Sequence, residues 1–256
     1  MVSRQEIVTY LDEILDIPGW EPVDSSRNGL QVIGRDEGTL ILGATDASQA
    51  LFEIAKESDA FLVFVHHGLF WADIQRVDGV VKTRLAALFQ SNTNLYAAHL
   101  PLDAHPELGN NAQLLRLLTV ENTNPWGTYH ERKIGCKGTL PEPELFTAFA
   151  QRVQDLLAVP PLTVMANGPE MCHSIGVISG GATANFVAEA TSAGLDTLLV
   201  GEAGHSFFHL SKEYGLNVIG GGHYATETWG VKAVLERLQA QYPEIQAEFI
   251  DLPTGL

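Results

Sequence analysis

Residues 60–65, AFLVFV, form an unbroken apolar run that leads directly into His66, His67 and Gly68. A short continuous run of this kind marks a strand buried on both faces, which calls for helices packed on either side of a largely parallel sheet. The rest of the chain meets that requirement. Short apolar runs at 40–44, 95–98, 174–179, 196–200, 217–219 and 247–252 read as strands. Helical spacing recurs at 5–16, 48–57, 82–90, 110–118, 141–158, 184–193, 207–214 and 226–241. Strands and helices in this alternation predict α/β layers. Two stretches break the pattern. Residues 18–38 are rich in turn formers and contain DSSRNGLQVIG; residues 119–139 are rich in Asn, Pro and Gly, and mark a candidate domain boundary.

The alternation occurs twice. LILGATDASQALFEIAKESDAFLVFVHH and IGVISGGATANFVAEATSAGLDTLLVGE share the order strand, small-residue turn, helix, strand, and a further helix and strand follow each. The first copy ends in NLYAAHLPLD and the second in NVIGGGHYATE, so each puts a His four residues before an acid, just past a short strand. Generic βαβ grammar is one source of such an echo. The other is a pair of similar α/β domains, each giving a His and an acid to a metal site in the cleft between them, the kind of place where ligands bind.

Strand ends are where the polar residues gather. Adjacent side chains on a regular strand point to opposite faces, so His66 and His67 share a site only where the strand ends and turns, as Gly68 permits. Ligands of open α/β sheets bind beyond the carboxyl ends of strands. His99 and Asp103, Glu202, and His223 with Glu227 lie at such ends too. Imidazoles and carboxylates together suit zinc, iron, manganese, nickel or cobalt, and the lack of thiolate ligands argues against a closed structural zinc site. Glu227 has two oxygens with which to bridge two ions, but spacing alone leaves the number at one or two. The cysteines, Cys136 and Cys172, lack a CxxC partner and read as buried free thiols.

Composition narrows the partners. With 15 basic and 31 acidic residues the formal charge is −16, which disfavours nucleic acid and anionic membranes. An anionic small molecule remains compatible where bound metals supply positive charge. No apolar run approaches the ~18 residues of a membrane span, and the acid-bearing amphipathic start is unlike a signal peptide. A cytoplasmic location is the default expectation.

At NGLQV, VHHG, HLPLDAHPELGNNAQL, the GE after the fifth strand and GHYATETWGVKA, the chain resembles the dinuclear-metal-centre hexamer family, known as GTP cyclohydrolase 1 type 2 homologues. The likeness spans nearly the whole chain. It implies two α/β domains with the C-terminal segment returning to the first, hence 1–125 with 224–256 and then 126–223. It also implies a toroidal homohexamer and two divalent metal ions per chain, held by His66, His67, Asp103, His223 and Glu227, with Glu227 bridging. The middle domain inserted in longer members has no room here. His99 is expected to orient Asp103 or a ligating histidine, with direct metal ligation as an alternative. His99 and Glu202 are the candidates for proton transfer, with His209 beside them, and simple hydrogen bonding is the equal alternative for Glu202 and His209. His105 and Glu107 are expected to shape their loop, Asn28 with Gly29 and Gly180 with Gly181 to form turns, and Trp229 to pack on a helix. The alternatives are a part in the site for Asn28 and Gly29 and a phosphate cradle at a helix N-terminus for Gly180 and Gly181. A metal-dependent hydrolase of a nucleotide or other phosphorylated small molecule is the expected activity. The alternatives are opening of the GTP imidazole ring, or a metal-storage, delivery or scaffold ring.

Overall fold

The apolar run of residues 60–65 lies at the heart of a sheet, in a computed structural model that describes residues 1–72, 76–158 and 162–256. The chain divides into two units: residues 1–102 with 231–252, and residues 103–230 with 253–256.

The first unit opens with a two-residue strand β1 (Val2–Ser3) and helix α1 (Arg4–Ile14). Ser3 and Glu6 form a reciprocal capping box at the start of α1, which satisfies its first N–H groups. Then follow α2 (Ile17–Trp20), β2 (Gly29–Val32), β3 (Glu37–Gly38), β4 (Leu40–Asp46), α3 (Gln49–Glu57), β5 (Leu62–His67), α4 (Gly79–Ser91) and β6 (Asn94–Ala97). Strands β4, β5 and β6 are parallel neighbours in that order. Antiparallel β2 closes the β6 edge, and β13 (Gln246–Phe249), returning at the end of the chain, adds in parallel beside β4. Five of the six β5 residues are buried, as a strand covered on both faces requires. Leu42, Val63, Val65, Leu95 and Ala97 join Leu51, Phe52 and Leu88 of α3 and α4 in one core.

The division between units falls inside two helices, α5 (Leu100–Ala104) and α11 (Thr228–Gln241). The second unit holds α6 (Asn110–Leu117), β7 (Glu121–Tyr129), β8 (Arg132–Leu145), α7 (Phe146–Leu157), β9 (Thr163–Met165), β10 (Met171–Ile178), α8 (Asn185–Ser192), β11 (Thr197–Val200), α9 (His205–Tyr214), β12 (Asn217–Gly220) and α10 (His223–Thr226). Strands β10, β11 and β12 are parallel, antiparallel β9 borders β12, and the hairpin β7–β8 borders β10. Phe149 and Val153 of α7 pack with Ile175, Val177, Leu199 and Ile219 of the sheet.

Both stretches that break the alternation contain strands. Residues 119–139 hold most of the β7–β8 hairpin, whose two-residue turn, His130–Glu131, takes positive φ at both positions. That geometry usually calls for Asn-Gly or Asp-Gly, so the hairpin carries no ordinary turn signal. Its second strand runs on to Leu145, so the helix read from 141 begins at Phe146.

Candidate metal centre

In the first unit, β5 ends in His66 and His67, and His99 follows β6 on the adjacent strand. His66 is fully buried. The three imidazoles form a cluster with ring centroids 4.6, 5.2 and 5.7 Å apart, and one ring nitrogen of each lies within 4.8 Å of the others. Each ring is gripped through Nδ1. His66 Nδ1 lies 2.9 Å from the Ala98 carbonyl, His67 Nδ1 2.8 Å from the Asp46 carboxylate, and His99 Nδ1 2.9 Å from the Asp24 carboxylate.

Asp24 is itself braced. It is buried and accepts hydrogen bonds from the Ser26 and Leu100 amides and from the Asn28 side chain, while Asn28 Oδ1 accepts from the His99 amide. Burial pushes the Asp24 carboxyl up, but the donors and charge of His99, with Asn28 and the Ser26 amide, outweigh it and hold the group below its usual value.

In the second unit the donors come from α10 and its neighbours. His223 opens α10, directly after Gly222, whose φ of 90° suits glycine. Its Nδ1 is 2.5 Å from Glu202, which follows β11, and its Nε2 is 3.1 Å from Glu227, one helical turn on. Glu227 is buried, with only 2% exposure. Room for its carboxylate comes from Gly180: a Cβ there would sit 1.9 Å from Glu227 Oε1. Asp103 is also buried, and its Oδ1 accepts from Asn110 at 2.9 Å and from the Ser179 hydroxyl at 3.0 Å.

The four imidazoles therefore share one arrangement. In each, Nδ1 faces an oxygen acceptor. For His66, His67 and His99 that favours the proton on Nδ1 and the lone pair on Nε2, whereas His223 faces a carboxylate from both ring nitrogens, Glu202 from Nδ1 and Glu227 from Nε2. Outer oxygen partners on Nδ1 are what metal-ligating histidines use to fix tautomer and ring orientation. His105 is the opposite case. Its Nδ1 accepts from the Glu107 and Leu108 amides at 3.1 and 2.9 Å, so it shapes the loop, as expected of it. The imidazoles of the first unit, and the buried Asp103 and Glu227 with His223 in the second, are donor types that suit a borderline divalent ion.

Three supporting residues escape a linear reading. Asp24 and Asp46 lie 75 and 21 residues from the histidines they hold, as lone acids without a motif. Asn28, expected to make a turn with Gly29, instead braces His99, and Gly29 opens strand β2. Glu202 stands against His223, whereas His209 is exposed on α9, with its ring edge-on to Phe208. Gly180 sits in a left-handed turn with φ 64°, and Trp229 packs against the second core. Both cysteines are buried and free.

Known proteins resemble the chain over its full length. The family described as Duf34/NIF3 (NGG1p interacting factor 3) matches residues 2–254. A Deinococcus radiodurans protein named "GTP cyclohydrolase 1 type 2 homolog" is 44% identical over 255 residues, covering 100% of this chain and 95% of the relative. A Pyrococcus horikoshii protein of the same name is 42% identical, with both chains covered completely. Among solved structures, TTHA1606 from Thermus thermophilus superposes with a TM-score of 0.87 at 39% identity, and ybgI, a structural-genomics protein of unknown function, with 0.91 at 32%; each likeness covers 100% of both chains. No helix among the described residues is long and apolar enough to cross a membrane. With the whole fold and nearly the whole sequence matched, the chain belongs to the DUF34/NIF3 family.

Proposed function

We propose that the chain is a dinuclear metal-dependent hydrolase acting on a nucleotide or other phosphorylated small molecule, with His66, His67, Asp103, His223 and Glu227 as the ligands. The observation that carries this reading is the shared grip on Nδ1: His66, His67 and His223 each have that nitrogen tied to an oxygen, the arrangement that orients metal-ligating histidines. In the proposed partition His66 and Asp103 serve one ion, His67 and His223 the other, and Glu227 bridges. Divalent ions so held, of iron, manganese, zinc, cobalt or nickel, would supply Lewis acidity, activate water near neutral pH and offset the chain's negative charge toward an anionic substrate. Around them, His99 is fixed by Asp24 as a proton carrier, and Glu202 orients His223 and takes part in proton transfer.

The test is metal content followed by turnover. Wild-type protein purified without chelator is expected to carry two ions per chain, and Glu227→Ala to lose both the ions and activity; a wild-type ratio near one contradicts the dinuclear centre. Nucleotides and phosphorylated metabolites are then screened with Mn, Fe, Co and Zn. Phosphate release supports the hydrolase, an ultraviolet change without phosphate release points instead to purine ring opening, and readily released metal with no product points to storage. Sedimentation tests the homohexamer that the family resemblance implies.

A further inference from the structure

We infer that Trp71 is a stacking platform, and that the ligand of the first unit's histidine cluster carries a planar aromatic ring of the nucleobase type. The inference rests on the reading of those histidines as part of a small-molecule site and narrows it from phosphorylated compounds in general to heteroaromatic ones. Of the four tryptophans, Trp20 and Trp126 are buried and Trp229 packs against the second core, whereas Trp71 is 38% exposed. Its ring lies 4.9 Å from His99 at 74°, and 6.1 Å from His67.

A single exposed aromatic side chain is unremarkable by itself. The way this one is held is not. Trp71 pairs with Ser26 in an isolated antiparallel bridge, and its indole N–H donates to the Gly68 carbonyl at 3.0 Å. On either side, the Arg27 amide donates to Phe70 at 2.9 Å and the Ala72 amide to Ser25 at 2.7 Å. Arg27 Nε donates to the Ala72 carbonyl, and the Leu69 amide to Gln31. Ala72 adopts φ 46°, a left-handed conformation that costs a non-glycine residue energy and that surrounding bonds must enforce.

The segment that clamps Trp71 also supplies Asp24 and Asn28, which clamp His99. One strap thus sets an indole and an imidazole at a fixed angle, with the indole still reached by solvent. A rigid, amphipathic aromatic surface loses little entropy on binding, and nucleobases stack on such surfaces whatever their sequence of polar groups.

The experiment titrates guanosine, adenosine and ribose 5-phosphate into the purified protein, before and after chelator treatment, and reads binding by calorimetry and tryptophan fluorescence. Wild type, Trp71→Ala and Trp71→Phe are compared, with circular dichroism and metal content recorded for each. Both nucleosides are expected to bind and to quench fluorescence. Trp71→Ala should weaken them about tenfold, equivalent to about 1.4 kcal/mol of stacking. Trp71→Phe, which keeps a stacking face, should stay within about threefold of wild type, and ribose 5-phosphate should be unaffected by either change. Nucleosides that do not bind, or that bind Trp71→Ala as tightly as wild type, overturn the inference. Nucleosides lack phosphate, so stacking that persists in the chelated protein stands even where metal analysis defeats the dinuclear reading.

Discussion

The two units build the same frame and furnish it differently. Each has three parallel strands, β4–β5–β6 and β10–β11–β12, with an antiparallel strand, β2 or β9, beside the third. A short helix, α5 or α10, follows the third strand in both. In the paired sequences, His66 and His67 correspond to Gly201 and Glu202, and Thr45 and Asp46 to Gly180 and Gly181. The first unit therefore places imidazoles at the end of its second strand and props one of them with Asp46 from its first. The second unit has glycine at three of those four positions; Glu227 and His223 come in from beyond the third strand to fill the space at Gly180 and Gly181, while Gly201 lies against the Gly180 backbone. One frame yields mainly nitrogen donors or mainly oxygen donors according to which strand end is emptied.

Refilling an emptied position is the strongest way to break that comparison. Gly180→Ala would put a Cβ 1.9 Å from Glu227 Oε1 and 2.7 Å from its carboxyl carbon, at φ 64°. The left-handed backbone alone costs about 1–2 kcal/mol, and Glu227 must also leave its place. Metal content is expected to fall as far as in Glu227→Ala, with a lower midpoint in urea. Gly181→Ala is the control, since its Cβ would meet nothing nearer than His223 Cε1 at 3.6 Å. If Gly180→Ala keeps its metal, or if the two variants behave alike, the glycine is not there to admit the glutamate.

The props of the first unit are the next target. Asp24→Asn replaces a carboxylate that accepts from four donors with an amide that must turn an N–H toward some of them, a loss of about 1–3 kcal/mol. The folded-state pKa of Asp24 lies below its unfolded value, so its contribution is complete above about pH 4 and is lost as pH falls through the folded value. The stability gap between wild type and Asp24→Asn should be widest near pH 6 and narrow steadily toward pH 3 in urea titrations. A gap that ignores pH would show that the charge of Asp24 plays no part in holding His99.

The frame was more legible in the sequence than its props. Burial on both faces made β5 visible as a continuous apolar run, and the repeated order of elements exposed both parallel cores. Donors at strand ends were visible for the same reason: His66, His67, His99 and His223 interrupt or follow apolar runs where packing alone has no use for them. What stayed hidden depends on contacts between distant residues. Asp24 is one acid among 31 until the fold brings it to His99. Strands β2 and β9 are four and three residues long and sit at sheet edges, too short to show a period. The β7 strand contains Pro125 and turns through His130–Glu131, so both of its usual signals are missing.

Cysteine placement offers the gentlest probe of the difference between the units, because both thiols lie in the second. Burial first, then the negative charges of Asp196 and Glu144, push the Cys172 thiol up to about 12, and burial raises Cys136 as well. Thiolate is the reactive form, so at pH 8 the folded protein holds almost none of it at Cys172. Iodoacetamide at that pH should leave Cys172 unmodified in the native state and alkylate both cysteines in urea, as read by mass spectrometry. Trp20 and Trp71 lie in the first unit and Trp126 and Trp229 in the second, so in a Trp126→Phe/Trp229→Phe variant fluorescence reports on the first unit, and labelling and fluorescence followed through one urea series compare the two units. Modification of Cys172 under native conditions at close to the unfolded rate would mean that the β8–β10 pairing opens readily, and that the second unit is held less firmly than its buried core implies.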